Sequence, residues 1–363
     1  MSQVASRQAF PDQLRGLALL GIILVNVPFM AISGNSYTEA SLANGLDRTV
    51  AFLVTMLAAG KFYVIFSFLF GYSALFILKD GSKVNRRVYR RRLIALLLLG
   101  LAHVVFFFVG DILVTYALLG FALLLLVKRS DRAVWRTAVI VFILGSIWIL
   151  AIACLNAFLA GAEASDTSMV DAYDVAMADG TFWQAALERL NLYPAVLVSV
   201  ILGQGILAFV AFCAGMLAAR HRILGRLDEF RPRLRRCAVW GLAVGLPVQF
   251  ACTWFILGPG VPVGAVSEPA SVIAGAFLLV SGPILSAGYI GGLALLSLRF
   301  PRLLAPLGPP GQASLTIYLG ESVLLCIIFC GWGFGLFGKL GAAAVTVIAI
   351  GCWALLAVAM TLW

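Results

Sequence analysis

The chain has 363 residues, of which 62% are hydrophobic and 12% charged, and its mean hydropathy is +1.03. Soluble domains have roughly 45–50% apolar and about 25% charged residues, so this composition excludes a soluble globular protein and indicates that lipid is the solvent. The formal net charge of +10 comes from basic clusters between apolar runs. Because cytoplasmic loops have this composition, we expect no nucleic-acid partner.

A membrane-spanning helix needs about 20 mostly apolar residues, and about ten segments meet this requirement. The predicted spans, in chain order, are 14–33, 62–79, 93–109, 111–127, 134–159, 193–219, 237–257, 270–298, 314–336 and 341–362. A further apolar stretch at 49–60 is expected to be interfacial or re-entrant. The sequence therefore predicts an all-α, polytopic membrane helix bundle that forms a single transmembrane domain over residues 1–363.

Basic and non-basic loops alternate along this predicted bundle. Lys and Arg are concentrated in loops 79–92, 128–136 and 220–236. They are nearly absent from loops 34–48, 160–192 and 258–269. Cytoplasmic loops have the excess of basic residues. The alternation thus predicts ten spans, cytoplasmic N- and C-termini, and an extracytoplasmic loop at 160–192.

Two ionisable residues belong to the third and fourth predicted spans and to the turn between them. His103 lies about 16 Å beyond Arg92 at about 1.5 Å per residue, near the middle of a hydrocarbon core about 30 Å thick. It is either a packing residue that is hydrogen-bonded between helices, or a general base or transient acyl carrier. Asp111 is expected to cap the helix that follows it or to line a recess and orient His103 or its substrate, and the two roles are compatible. The spacing leaves open whether Asp111 contacts His103 directly.

Asn26 and Glu321 are expected at a depth similar to that of His103. The three side chains are therefore predicted to form one polar layer near the membrane midplane. A carboxylate at this depth needs a cation or a proton. Glu321 is thus either a neutral or hydrogen-bonded residue that fixes helix packing, or a residue that takes part in catalysis or proton relay.

Asp12 and Arg15 lie three residues apart at the start of the first predicted span. They are either a helix cap and a positive-inside anchor, or a site for an anionic cytoplasmic donor, because Arg binds phosphate with two donors. Lys61 is expected near the outer interface with its ammonium extended towards the headgroups. The seven cysteines show no metal-ligand spacing and are expected to pack as small apolar residues.

Several segments resemble the YeiB-like family of bacterial membrane proteins, a domain of unknown function. They are DQLRGLALLGIILVN (12–26), KFYVIFSFLFGYS (61–73), RRLIALLLLGLAHVVFFFVGDILVTYALLG (91–120), FCAGMLAARHRIL (212–224) and GQASLTIYLGESVLLCIIFCGWGFGLFG (311–338). The resemblance keeps chain order. Two features differ. Glu321 replaces an expected amide, and the chain stops at Trp363 where relatives continue with a Gly-Pro-Leu-Glu-Trp-like tail, so we expect either a truncated chain or a missing tail.

The resemblance implies a helical fold related to the transmembrane acyltransferase superfamily, whose members move acyl groups from cytoplasmic acyl-CoA to acceptors on the far side. The family pattern singles out Asp12, Arg15, Gly16, Asn26, Lys61, His103, Gly110, Asp111 and Tyr116. The predicted function is a membrane-bound acyltransferase of the bacterial inner (cytoplasmic) membrane. Acyl-CoA, in the first place acetyl-CoA, is the expected donor, and no metal is expected.

This hypothesis assigns a role to each candidate residue. The catalytic residues are His103, Asp111 and Glu321, and the substrate-binding residues are Asp12, Arg15, Asn26, Lys61 and Tyr116. The expected partners are membrane lipid and a small-molecule or glycan acceptor, and a homo-oligomer is left open. The alternatives are a proton-coupled secondary transporter or lipid-handling protein, in which the three catalytic candidates relay protons, and a structural protein without turnover.

Overall fold

The computed structural model describes residues 9–79, 81–159, 168–261 and 269–362, and the chain in these ranges consists of helices and the turns between them. The helices are α1 (Ala9–Ala31), α2 (Gly45–Leu57), α3 (Phe62–Leu78), α4 (Lys83–Phe106), α5 (Leu113–Leu123), α6 (Asp131–Leu159), α7 (Ser168–Asp179), α8 (Phe182–Val200), α9 (Ile206–Arg220), α10 (Arg231–Leu257), α11 (Pro269–Arg299), α12 (Pro301–Leu304), α13 (Gly308–Gln312), α14 (Ser314–Phe329) and α15 (Ala342–Leu362). The prediction of an all-α protein is confirmed.

Seven helical segments among the described residues are long and apolar enough to cross a membrane. They are Ala9–Ala31, Gly45–Leu78, Asp131–Leu159, Phe182–Arg220, Arg231–Leu257, Pro269–Arg299 and Ala342–Leu362. An eighth is obtained if Pro301–Gln312 and Ser314–Phe329, which are bent by 78° relative to each other, form one span. The chain is therefore a multi-pass membrane protein. Of the ten predicted spans, α4 and α5 are not among these segments, because α4 begins with a strongly basic stretch and α5 has only 11 residues.

Helices also occur in two stretches that were not predicted as membrane spans, the interfacial or re-entrant stretch 49–60 and the extracytoplasmic loop 160–192. The stretch 49–60 is mostly α2, which continues through a short turn into α3. The predicted loop 160–192 contains α7 and the first half of α8, and its residues 160–167 lie outside the described residues. The local signal for α8 is a capping box, in which Thr181 Oγ1 accepts a hydrogen bond from Gln184 N at 3.3 Å and Gln184 Oε1 accepts one from Thr181 N at 2.8 Å.

The core of the bundle forms around α1, which is the most buried of the seven segments and packs against α3, α14 and α15. Elsewhere, glycines allow helices to approach closely. A Cβ atom at Gly241 of α10 would lie 2.4 Å from the backbone of Gly288 in α11, and one at Gly215 of α9 would lie 1.9 Å from the carbonyl oxygen of Phe68 in α3. Small residues at such contacts are how membrane helices gain packing energy without a hydrophobic driving force.

Helix α7 holds the end of α1. Asp174 accepts hydrogen bonds from Ser33 Oγ at 2.6 Å and from Gly34 N at 2.7 Å. Burial raises the pKa of the Asp174 carboxyl above its usual value, although both hydrogen bonds act to lower it. The turn that follows α1, which includes Gly34, is thereby fixed at the edge of the cavity described below.

Candidate functional site

His103 and Asp111 form a buried pair. The turn between α4 and α5 reverses the chain, so that Asp111 returns to the last turn of α4, where His103 lies. Nδ1 of His103 is 2.9 Å from Oδ1 of Asp111, and both side chains are almost completely buried. The prediction that Asp111 orients His103 is consistent with this geometry, which shows the direct contact that spacing alone left open.

Two further groups hold the Asp111 carboxylate. Its Oδ2 accepts a hydrogen bond from Val114 N at 3.1 Å, which caps the start of α5, and its Oδ1 accepts one from the hydroxyl of Tyr318 in α14 at 3.1 Å. Asp111 thus makes the capping contact with Val114 and the contact with His103 at the same time. Tyr318 also packs its ring 5.1 Å, between centroids, from that of His103.

The contacts of Asp111 determine which imidazole nitrogen of His103 is available. Because a carboxylate only accepts hydrogen bonds, Nδ1 of His103 is the nitrogen that carries the hydrogen. In the neutral imidazole, Nε2 then has a free lone pair. This atom is buried and has no hydrogen-bond partner among the described residues. A buried polar atom without a partner is uncommon in proteins and calls for an explanation, such as a catalytic role.

A cavity of about 660 Å³, here called the apolar cavity, adjoins this cluster. Tyr318 and the turn residues Gly110 and Ile112 belong to its wall, whereas His103 does not. The rest of the wall comes from α1 and the turn after it, α2, α3 and the turn between them, α8, the segment Ile201–Gly205, α10 and α11, and it combines aliphatic with aromatic and uncharged polar side chains. Of the predicted catalytic and substrate-binding residues, Asn26 lines the cavity, and its place in one polar layer with His103 stays a prediction.

Glu321 lies one helical turn beyond Tyr318 and is 2% exposed. Its Oε1 has no hydrogen-bond partner among the described residues. The carboxylate that contacts His103 is that of Asp111, and the polar layer of Asn26, His103 and Glu321 stays a prediction. Within the described residues there is no group of three or more His, Cys, Asp or Glu side chains that could hold a metal ion.

Asp12 and Arg15 lie at the other end of α1 from the apolar cavity. Arg15 Nη1 is 2.6 Å from Asp12 Oδ1, and its Nη2 donates to Ser73 Oγ of α3. About 16 Å of helix separates Arg15 from Asn26 at about 1.5 Å per residue. The structure therefore does not bring these two binding candidates together with the histidine cluster.

Lys61 and Tyr116 are interior residues. The expectation that Lys61 extends to the interface is wrong: it is 0% exposed, and its Nζ donates to the carbonyl oxygens of Thr55, at 3.0 Å, and Ala59. These carbonyls lie at the end of α2, where helical partners are lacking and a cation is favourable. The hydroxyl of Tyr116 is 2.6 Å from Ser67 Oγ and donates to the Tyr63 carbonyl oxygen at 2.9 Å. Their binding roles stay predictions.

Sequence reasoning missed two buried polar residues. Tyr318 had a local signal, since it lies three residues before Glu321 and so shares its helix face. Arg189 was assigned to a loop, yet it is 1% exposed and donates to the Phe106 carbonyl oxygen at 3.2 Å, while its Nη2 lies 3.3 Å from Cys330 Sγ. Its partners come from α4, α7 and α14, and spacing along one helix does not reveal them.

Fold and site together define a multi-pass helical membrane protein with a buried His–Asp–Tyr cluster beside an apolar cavity. Residues 218–363 match the family described as "Protein of unknown function (DUF418)". The chain is 27% identical to "Uncharacterized protein YxaH" of Bacillus subtilis over 97% of this chain and 89% of that protein, and 32% identical to "Uncharacterized protein YeiB" of Escherichia coli over 37% of this chain and 35% of that protein. No solved structure matches. These matches confirm the resemblance to the YeiB-like, DUF418 family.

Proposed function

We propose that this protein is a membrane-bound acyltransferase that moves an acyl group from cytoplasmic acyl-CoA to an acceptor hydroxyl at or across the membrane. The observation that carries the proposal is the buried Nε2 of His103, which has no partner among the described residues while Nδ1 is held by Asp111. An imidazole held in this way is suited to general-base catalysis. The adjoining cavity offers space for a substrate.

In the proposed reaction, Nε2 of His103 takes the proton of the acceptor hydroxyl while the hydroxyl oxygen attacks the thioester carbonyl carbon. A C–O bond forms and the C–S bond breaks. The imidazolium then returns the proton to the departing CoA thiolate, so that the products are an acyl ester and free CoA. Asp111 stabilises the transient imidazolium. His103 does not line the cavity, whereas Tyr318 and Gly110 do. In the proposed reaction, the wall moves at Tyr318 or Gly110 so that the substrate reaches His103.

The proposal includes ten spans with both termini in the cytoplasm of a bacterium and the protein in its inner membrane. Counting α4, α5 and the bent Pro301–Phe329 segment as spans adds three to the seven segments that qualify on their own. The alternation of basic loops supports this orientation. Arg15 then lies at the cytoplasmic end of α1, where its guanidinium would attract the phosphates of CoA.

The test uses purified protein in proteoliposomes with acetyl-CoA and longer acyl-CoAs, and measures binding and the release of free thiol. Water serves as the acceptor until a better one is found, so slow thioester hydrolysis is the expected signal. Binding is expected to weaken in Arg15→Ala and to persist in Arg299→Ala, which removes an equivalent positive charge at the end of α11. A folded protein that binds no acyl-CoA and releases no thiol would overturn the proposal.

One observation favours a second candidate function. Glu321 is a buried carboxyl group with an unpartnered oxygen in α14, and intramembrane carboxyls of this kind are common in proton relays. A proton-coupled transporter would use Glu321, Asp111 and His103 in turn. Proton-coupled flux of a solute in vesicles, without consumption of acyl-CoA, would support this function over the first.

A further inference from the structure

The apolar cavity has more space and a more hydrophobic wall than an acetyl group requires. Its volume of about 660 Å³ lies within the range of about 300–1,000 Å³ that is typical of small-molecule sites. No Asp, Glu, Lys, Arg or His side chain is among the described residues that line it. A phosphate or another charged group would therefore be buried there without a counter-charge, which is strongly unfavourable.

Uncharged polar side chains interrupt this wall at several places, among them Asn26, Gln204 and Tyr318. Asn26 comes from α1, Tyr318 comes from α14, and Gln204 comes from the π-helical segment Ile201–Gly205 that joins α8 to α9. π-helical segments are frequent at functional sites. The structure records no side-chain hydrogen bond for Asn26 or Gln204 within the described residues. Both amides are therefore available to a ligand that carries an ester or hydroxyl group.

We infer that the apolar cavity binds the hydrocarbon chain of a long-chain acyl or alkyl substrate, with the uncharged ester or hydroxyl end of that substrate at Asn26, Gln204 and Tyr318. A wall of aliphatic and aromatic side chains with a few placed polar groups is the usual composition of a site for such a ligand. The role of this chain in acyl transfer rests on the proposed function, whereas chain binding does not require transfer. Long acyl or alkyl groups are therefore bound in preference to acetyl.

Gly275 of α11 offers a way to fill the cavity. It lines the cavity, and a Cβ atom placed on it would meet no atom within 4 Å. The variant Gly275→Leu therefore adds a side chain at the cavity wall, and its Cβ atom meets no neighbouring atom. Gly292, on the same helix, also has nothing within 4 Å of its Cβ position but does not line the cavity. Gly292→Leu is the matched control, because both changes replace a helical glycine by the same helix-favouring residue.

The binding test uses a long-chain primary alcohol with a diazirine on its chain, in proteoliposomes, without acyl-CoA. Illumination is expected to label residues of the cavity wall, such as Val272 and Leu279, with saturation and with competition by the unlabelled alcohol. Gly275→Leu should reduce saturable labelling by about tenfold or more, because the added side chain takes up space that the hydrocarbon chain would occupy, while Gly292→Leu should match the wild type. Equal labelling of the two variants, or labelling confined to lipid-facing surfaces, would overturn the inference.

A second measurement identifies the source of the chain. Rates of thiol release are compared for acetyl-CoA and long-chain acyl-CoAs, and for one donor with and without a long-chain alcohol as acceptor. A selective loss of long-chain donors in Gly275→Leu places the donor chain in the cavity, and a selective loss of the alcohol effect places the acceptor chain there. Photolabelling that persists in a protein without any transfer refutes the proposed function but not the chain site. Transfer that is equally fast for all chain lengths in both glycine variants, without cavity labelling, refutes the chain site alone.

Discussion

The chain contains two histidines, and each contacts an aspartate at the same distance in very different surroundings. His103 and Asp111 are 2.9 Å apart with side-chain exposures of 1% and 0%, whereas His221 and Asp131 are 2.9 Å apart with exposures of 57% and 46%. Asp131 also binds Arg220 at 2.6 Å. The exposed pair therefore connects the end of α9 to the start of α6 at the surface of the protein. The buried pair is enclosed between α4, α5 and α14.

The difference shows that residue types and distance do not define a reactive site. An exposed pair is screened by solvent and contributes little, and its free nitrogen can bind water. In the buried pair, Asp111 makes contacts with both oxygens and the remaining nitrogen of His103 has no partner among the described residues. Such a fixed, desolvated arrangement is what catalysis requires. The exposed pair also provides matched controls for every change to the buried one.

The largest effect is expected for His103→Ala. Removing a general base lowers the rate by about 100- to 10,000-fold, so thiol release from acyl-CoA should fall by this factor. His221→Ala should leave the rate unchanged. Rates are to be measured per folded protein, with size-exclusion elution and thermal unfolding as checks. An unchanged rate in folded His103→Ala protein would refute the proposed mechanism.

Asp111→Asn should have the next largest effect. In the structure both carboxylate oxygens of Asp111 accept hydrogen bonds, whereas an amide has one accepting oxygen and one donating nitrogen. At least one of the contacts with His103, Val114 and Tyr318 is therefore lost. A charge-assisted hydrogen bond is worth about 1.5–3 kcal/mol, which corresponds to a rate loss of roughly 10- to 100-fold. The control is Asp131→Asn in the exposed pair. Equal rates for the two variants would mean that the buried carboxylate has no orienting role.

Tyr318→Phe removes only the hydroxyl that donates to Asp111. A hydrogen bond to a carboxylate is worth about 1.5–3 kcal/mol in full, but Asp111 keeps its contacts with His103 and Val114, so the rate of thiol release should fall only roughly two- to tenfold. Tyr193 is a suitable control, because its hydroxyl has no hydrogen-bond partner among the described residues and Tyr193→Phe removes no contact. If Tyr318→Phe matched His103→Ala, the hydroxyl itself would act on the substrate instead of positioning Asp111.

The smallest effect is expected for Glu321→Gln. Its Oε1 has no partner to lose, so acyl transfer should stay within roughly threefold of the wild type, below the effect of losing a typical hydrogen bond. The same variant separates the two candidate functions. A transporter that relays protons through Glu321 would lose proton-coupled flux in vesicles, because glutamine cannot release a proton. Loss of acyl transfer in a stable Glu321→Gln protein would make Glu321 part of the catalytic site, as the sequence-based hypothesis assigned it.

Much of the site was predictable because local rules apply to it. The short spans flanking Asp111 predicted a turn close to His103, and the capping role of Asp111 follows from its place before α5. For Glu321 the sequence predicted only a depth similar to that of His103, and depth does not specify which helix face points towards the histidine. Lys61 was misplaced for a related reason: the carbonyl acceptors that hold its ammonium exist only because the helix is interrupted between α2 and α3.

The sequence by itself determined that lipid is the solvent, that the chain is helical, and which few polar residues lie within apolar segments. Composition and periodicity suffice for this, because a membrane allows few backbone structures and few buried charges. Only the tertiary structure decided that Asp111 and Tyr318 meet at His103, that Lys61 and Arg189 are enclosed, and that several helices leave an uncharged cavity beside the cluster. Contacts and cavities between helices depend on helix rotation, tilt and separation, and these arise from the packing of all the helices together.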